Sequence, residues 1–211
     1  MPLHETHAVH PIPSKEGKAL IRENHYTKSC HNGPMCFGLH EQGRLIGVIA
    51  FATPISENVR AKPFGVEHKD RVTELHRMWL EDGHNKNAAT FFIKRAFALL
   101  LEKRPAIRCV ISFADTTEGH TGGVYLAANA IAAGSTGSKA RFFLDSDGAL
   151  RAPRQCGVNI SLDDASSRGW RPVMREPKRR FLWVVAPNRR EKRKWEAALR
   201  WEGGYFSQKP A

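Results

Sequence analysis

Between residues 106 and 134 the chain reads AIRCVISFADTTEGHTGGVYLAANAIAAG, and two residues of this stretch stand where chemistry is usually placed. The apolar run 107–113 predicts a buried strand of β-branched and aromatic residues. It ends at Asp115, crosses a polar, glycine-rich turn over 116–123 and enters a short helix over 124–130. In α/β folds strand ends and helix N-termini converge on one crevice. A carboxylate, Asp115, would sit at its mouth and a phenol, Tyr125, in the first helical turn. The same two residues also read as a capping Asp and a half-buried core Tyr. His25-Tyr26 is a second candidate, delivered by a helix over 15–23 to a loop rich in Ser, Asn, Gly and Pro; it reads as ligand, proton shuttle or packing. Arg77 is the third. In the strand-like run 72–80 strict alternation puts Val72, Glu74, His76, Met78 and Leu80 on one side and Thr73, Leu75, Arg77 and Trp79 on the other. A long cation on the Leu75/Trp79 side either snorkels to an edge or is held by an anion.

The elements that must position these residues follow from pattern. Residues 1–13, with three His and three Pro, predict an irregular arm, and Ser14 a helix cap. Runs 35–40 and 44–53 predict an antiparallel hairpin turning at Glu41-Gln42-Gly43, and 54–70 a surface loop. Residues 88–103 are the clearest helix, with Phe92, Ala96, Leu99 and Leu100 at helical spacing, Asn87 as N-cap and Pro105 as stop. Residues 132–145 read as turn plus strand, 163–177 as irregular, 178–187 as a late strand, and 189–201 as a basic helix capped by Asn188. With no repeat and no clear linker, the whole chain, 1–211, reads as one domain.

A formal net charge of +12 is not required by folding and costs the compact state some self-repulsion. The charge concentrates late, at Arg168, Arg171, Arg175, Lys178, Arg179, Arg180, Arg189, Arg190, Lys192, Arg193 and Lys194, interleaved with Trp170, Phe181, Trp183, Trp195 and Trp201. A polyanion, with counterion release as the drive, explains this better than a solvated face. Cys30, Cys36, Cys109 and Cys156 lack CxxC spacing, which favours reduced, intracellular thiols. The polar N-terminus and short apolar runs predict a soluble protein with no membrane partner. P-loop, Rossmann, HExxH and nucleophile-elbow motifs are absent, as is the Pro-Pro-aromatic tetrapeptide of adenine methyltransferases.

The order hairpin, strand, long helix, strand, helix, strand is that of a GNAT-type acyltransferase: a mixed, mostly antiparallel central sheet flanked by helices, here with a basic C-terminal strand and helix over 178–201. Within that class, ENHYTKSC, ELHRMWLEDGHNKNAATFFIKRA and VISFADTTEGHTGGVYLAANAIAAG, with the basic KRRFLWVV, resemble the Mom family of phage DNA-modification proteins. The resemblance implies an enzyme that places an acetamide unit on the exocyclic amine of adenine in double-stranded DNA. It would act in the cytoplasm of the infected or lysogenic host and protect phage DNA from restriction. Carried over residue by residue, it implies functional roles for His25, Tyr26, Arg77, Ser112, Asp115 and Tyr125. Asp115 is then expected to take a proton from the adenine amine and Tyr125 to donate to developing negative charge, with Arg77 binding an anionic donor group or orienting Asp115 and Ser112 completing the set.

His25, Tyr26, His120, Gly123, Asn129 and Trp79 are expected around substrate or donor, with Trp79 or an aromatic of the loop 54–70 as a stacking surface for a flipped base. Lys178, Arg179, Arg180, Arg189, Arg190, Arg193 and Lys194 are expected on DNA. An iron requirement associated with the family would fall on His25 and Tyr26. The sequence departs from the acetyltransferase pattern at Glu81-Asp82-Gly83-His84-Asn85-Lys86-Asn87, where two carboxylates replace a basic pyrophosphate loop. Those carboxylates argue against coenzyme A, and the connectivity of the family's product, a methylene on the ring amine and a terminal amide, favours an activated glycine such as glycyl-tRNA, a second polyanion, over acetyl coenzyme A as donor. Two other readings stay open: an acyl or aminoacyl transferase of this fold acting on another amine, and a basic nucleic-acid-binding protein without catalysis.

Overall fold

The computed structural model describes residues 2–201 apart from 138–139, 153 and 156–157, so Cys156 lies outside the described residues. In chain order the elements are α1 (Leu3–Thr6), β1 (His7–Ile12), α2 (Ser14–Asn24), β2 (Met35–Glu41), β3 (Arg44–Ala52), α3 (Glu57–Ala61), β4 (Val72–Leu80), α4 (Ala88–Lys103), β5 (Cys109–Ala114), α5 (Gly123–Ala127), β6 (Ile131–Ser135), β7 (Ala140–Leu144), β8 (Leu150–Arg151), β9 (Arg154–Gln155), β10 (Val158–Asn159), α6 (Leu162–Ser167), β11 (Arg171–Arg175), β12 (Arg179–Val184) and α7 (Arg189–Ala197). The main sheet has the order β1-β2-β3-β4-β5-β12-β6, and β4–β5 is its parallel pair. A small sheet, β11-β7-β8, is built from sequence inserted between β6 and β12. The expected mixed, mostly antiparallel sheet flanked by helices is what the chain forms.

Local chemistry explains the hairpin and the long helix. Gln42 (φ 49°) and Gly43 (φ 85°) form a two-residue turn with both φ values positive, the geometry that matches strand twist. On α4, Phe92, Ile93, Ala96 and Leu100 are fully buried against Leu39, Ile49, Leu75, Val110 and Trp183. Each large side chain so buried contributes roughly 1.5–3 kcal/mol. On the opposite face α2 buries Ile21 against Cys36, Val48 and Ala50, and α7 buries Trp195 against Phe64.

Several expectations are corrected. The arm over 1–13 is α1 plus an edge strand, β1, paired antiparallel with β2 from His7↔Glu41 to Ile12↔Cys36. Pro11 is tolerated because an edge strand has one side free of ladder bonds. Pro13, not Ser14, occupies the N-cap of α2. The loop over 54–70 holds α3 and a tight helical turn, Val66–Arg71, with Phe64 as its apolar anchor. Residues 163–177 contain most of α6 and all of β11. Asn87 precedes α4 in the left-handed conformation and makes no side-chain cap. The helix expected over 124–130 ends at Ala127, and α7 ends at Ala197, before Trp201.

Two features of β4 make a cavity. The register against β3 runs Ala50↔Arg77 and then Phe51↔Leu75, so His76 is a bulge and the alternation changes phase there. Leu75, Met78 and Leu80 therefore share the α4 side while Trp79 packs on the α2 side; the strict alternation read from sequence fails at the bulge. Second, β4 pairs with β5 only from Val72↔Cys109 to Glu74↔Ile111. Beyond Glu74 the two strands part, and the gap between them is open to solvent at the sheet's C-terminal edge.

Candidate active site

That gap is a cavity of about 550 Å³, lined among others by His25, Tyr26, Glu74, His76, Arg77, Asp115, His120, Tyr125 and Lys178. The β4 bulge brings Arg77 to it, the end of β5 brings Asp115, α5 brings Tyr125, and the segment after α2 brings His25 and Tyr26.

Asp115 is 1 % exposed and follows β5 directly. One oxygen, Oδ2, faces Arg175 Nη2 at 2.7 Å, Lys178 Nζ at 3.0 Å and the Tyr26 hydroxyl, which donates to it at 3.3 Å. The other, Oδ1, accepts the Thr117 amide at 3.2 Å and caps the turn Thr116–Glu118. Burial pushes this carboxyl up, but hydrogen bonds and charge from Arg175 and Lys178 outweigh it and hold it below the usual carboxylate range. Arg175 also bonds Glu118 at 2.5 Å, and its guanidinium lies 5.9 Å from the Tyr26 ring centre.

Tyr26 stacks on His25 (4.4 Å between centroids) and approaches His120 (5.4 Å). Burial first, then the Asp115 charge, raises its phenol above the ordinary value, so it is protonated. His25 Nδ1 lies 2.9 Å from the Thr27 hydroxyl and 3.2 Å from the Thr27 amide. Burial, followed by the charges of Arg77 and of neighbouring His and Lys side chains, lowers its pKa to about 3.

Arg77 neither snorkels nor meets a carboxylate. Its Nε donates to Thr27 Oγ1 and Ser29 O, both at 3.0 Å, and its Nη1 to His76 O at 2.7 Å. Neutral acceptors thus hold a half-buried cation at the cavity wall. Beside it Glu74 contacts His76 Nδ1 at 3.2 Å, and His31 packs on His76 with centroids 3.9 Å apart. Tyr125 packs edge-on against Phe181 and Trp183 (5.3 and 5.4 Å), and burial raises its phenol above the ordinary value.

Other expected residues separate. Ser112 is 1 % exposed, donates to Leu75 O at 3.0 Å and is not among the residues lining the cavity. Trp79 packs with Ile21 and Val48 on the α2 side and offers no stacking face to the cavity. Asn129, left-handed at φ 63°, lies on a second groove between α4 and the end of β12. Gly123 and His120 line the cavity. The basic residues expected on DNA divide as well. Lys178 is spent on Asp115, Arg179 donates to Thr121 O at 3.3 Å, and Arg180 bonds Ser135 O and lies 5.6 Å from the Trp201 ring. Arg189, Arg190, Arg193 and Lys194 are exposed on α7. Arg175, Glu118 and Glu74 were not among the expected site residues; the signal for Arg175 was its place in a basic run just before the late strand.

The iron implied by the resemblance would have the His25 ring, the Tyr26 phenol and the Asp115 carboxylate, which meet at Tyr26, as its nearby N and O donors. No group of three or more His, Cys, Asp or Glu among the described residues is arranged to hold an ion.

A central sheet splayed between a bulged β4 and its parallel neighbour β5, with a long helix between them, defines the GNAT-type acyltransferase fold. Among solved structures, spermidine/spermine N-acetyltransferase SpeG from Vibrio cholerae superposes with a TM-score of 0.50 at 10 % identity, covering 87 % of this chain and 95 % of its own. An N-acetyltransferase from Staphylococcus aureus Mu50 superposes at 0.48 and 11 %, covering 84 % and 98 %. The Mom protein family model matches residues 6–188, and the chain belongs to that family. A curated relative, the methylcarbamoylase Mom of Escherichia phage Mu, is 28 % identical over 113 residues, 53 % of this chain and 47 % of the relative. The chain thus spans about half the length of the curated relative it matches. No helix among the described residues is long and apolar enough to cross a membrane.

Proposed function

We propose that this protein is a transferase that converts the exocyclic amine of adenine in double-stranded phage DNA to its carbamoylmethyl derivative, within the bacterial host and against its restriction nucleases. The observation that carries the reading is the meeting of His25, Tyr26, Arg77, Asp115 and Tyr125, from four separate segments, around one cavity in a member of the Mom family. The name of the phage Mu relative supports methylcarbamoyl transfer, and the net charge of +12 supports a nucleic-acid partner. The base must leave the stack to enter, because a duplex adenine cannot reach side chains recessed between β4 and β5.

The donor we favour is glycine esterified to tRNA. At the N-terminus of α4, where this fold would hold a pyrophosphate, Glu81 pairs with Arg44 at 2.7 Å and Asp82 is exposed, which disfavours a coenzyme A diphosphate. In the first step the adenine amine attacks the glycyl carbonyl. A C–N bond forms, the ester C–O bond breaks, and the ribose oxygen leaves with the proton the amine loses. The glycyl amine then attacks the purine carbon bearing that nitrogen and closes a five-membered spiro ring. Cleavage of the original C–N bond expels the first nitrogen as a primary amide, with the proton given up by the glycyl amine. No electrons are gained or lost. Tyr125 and Arg77 supply positive potential for the oxyanion, and Tyr26, its own proton directed to Asp115, presents oxygen lone pairs to an incoming N–H.

Expression in a bacterium, followed by digestion of plasmid DNA to nucleosides, tests the reading. A deoxyadenosine heavier by one carbamoylmethyl group in place of hydrogen is expected; unmodified DNA overturns it in favour of another amine substrate or of binding alone. Heavy nitrogen placed only at the adenine amine should appear in the terminal amide, and label left on the purine carbon excludes the glycyl route.

A further inference from the structure

We infer that Arg175, delivered by the inserted sheet β11-β7-β8, is a positioning residue that fixes the Asp115–Tyr26 pair for the reaction proposed above. Arg175 is the last residue of β11, and Lys178 stands just before β12. Between them this segment is tied to the turn after β5 at several points. Arg175 reaches both Asp115 and Glu118, Lys178 reaches Asp115, Thr116 Oγ1 donates to Pro177 O at 3.0 Å, and the Glu176 amide donates to Thr117 Oγ1 at 2.8 Å. The turn that carries Asp115 is therefore held by the insertion and not by the core sheet alone.

Arg175 is only 7 % exposed, and its side chain bridges two carboxylates that would otherwise repel one another. The planar guanidinium turns one nitrogen to each carboxylate, Nη2 to Asp115 and Nη1 to Glu118, whereas an ammonium acts as a single point charge. With Arg175 and Lys178 both on Oδ2, Asp115 stays ionised and points that oxygen at the Tyr26 hydroxyl. Its task is to anchor the phenol, and a carboxylate held by two cations is a weak proton acceptor. The charged and titratable groups facing Asp115 are Arg175, Lys178 and Tyr26, with Glu118 beyond Arg175 and His120 against the Tyr26 ring.

The test compares wild type with Arg175→Gln and Arg175→Lys in the full chain. The Asp115 carboxyl is followed by NMR with carbon-labelled aspartate, assigned by Asp115→Asn, a readout independent of any reaction. In Arg175→Gln burial gains over charge and the carboxyl titrates at higher pH; in Arg175→Lys the shift is largely rescued. In the modification assay Arg175→Gln lowers kcat by 10-fold or more with KM for DNA within twofold, and the acid limb of its pH–rate profile moves upward with the carboxyl. An unchanged Asp115 titration in Arg175→Gln overturns the inference, as does equal loss of activity in both variants with an unmoved acid limb. Should wild type modify no DNA, the proposed reaction fails while the NMR comparison still decides whether Arg175 sets the state of Asp115.

Discussion

The Tyr26 hydroxyl meets the Asp115 carboxylate at 3.3 Å across 89 positions of sequence, and the meeting is possible because β4 and β5 part after three paired residues. A continuous β4–β5 ladder would fill the gap that the Tyr26 ring borders. Tyr26→Phe removes the donor and leaves Asp115 its two cations. A single long hydrogen bond to a charged group is at stake, so urea unfolding should show a loss of about 1 kcal/mol. Modification should fall on the order of 100-fold, the usual effect of losing one aligned polar group at a reacting centre. Near-normal activity in Tyr26→Phe would remove Tyr26 from the reaction.

His25 makes stability depend on pH. Its folded pKa of about 3 lies below the ordinary value of 6.5, so between these values the unfolded chain binds a proton that the folded chain does not. Unfolding free energy should therefore fall as pH drops from neutrality through that window, at a slope from this group approaching about 1.4 kcal/mol per pH unit. Asp115, whose folded pKa is lowered, adds to the loss only below the ordinary carboxylate range. Denaturant titrations of wild type and His25→Gln between pH 7 and about pH 4 check this, and the variant should have the flatter profile.

What the sequence made legible were elements whose signal is local. The hairpin was readable from its turn residues and α4 from the spacing of Phe92, Ala96 and Leu100. The strand His7–Ile12 was hidden because an edge strand needs one apolar face and tolerates His and Pro. The phase of β4 was missed because no residue type announces a bulge: His76 is extra only relative to β3. Asp115, just after β5, and Tyr125, inside the short α5, stood out from the strand, turn and helix pattern of their own stretch, and both line the cavity. Arg175 was counted as part of a basic run, because its partners Asp115 and Glu118 are remote in sequence and only the fold joins them.

Gly122 should tolerate no side chain. Its φ is 83°, and a Cβ there would overlap the ring of Phe181, which is itself locked in the core beside Tyr125. Gly122→Ala adds backbone strain of about 1 kcal/mol to an overpacking cost of ~1–3 kcal/mol. Thermal unfolding should register the sum, and residual activity should fall further than stability does, since the displaced Phe181 carries Tyr125 with it. Gly119→Ala, left-handed at 73° but with open space around it, should cost only the backbone part.

A flipped adenine needs a surface to lie on, and Trp79 does not supply it. The aromatic groups that line the cavity are His25, Tyr26, His76, His84, Phe113, His120 and Tyr125. A duplex with 2-aminopurine at the target adenine should brighten when bound, and His120→Ala, at the exposed mouth beside Tyr26, should reduce that signal more than it reduces affinity. Unchanged fluorescence on binding would mean that the base stays stacked.

The basic residues fall into two groups that salt titration should separate. Arg189, Arg190, Arg193 and Lys194 project from α7 into solvent, with Lys192 held to Glu196 at 3.7 Å on the same helix. Each one that neutralises a phosphate adds about 0.9 to the magnitude of the slope of log K against log salt. Replacing all four by Gln should flatten the slope by up to about 3.6 and weaken binding at low salt, with turnover of saturating DNA little changed. Lys178→Gln should do the opposite. Its ammonium is already committed to Asp115 at 3.0 Å, so its loss releases few counterions and leaves the slope nearly intact. It removes one of the two cations that hold Asp115, so turnover should fall. If Lys178→Gln flattens the slope as much as an α7 charge does, Lys178 leaves Asp115 for a phosphate when DNA binds, and Arg175 alone anchors the carboxylate in the complex.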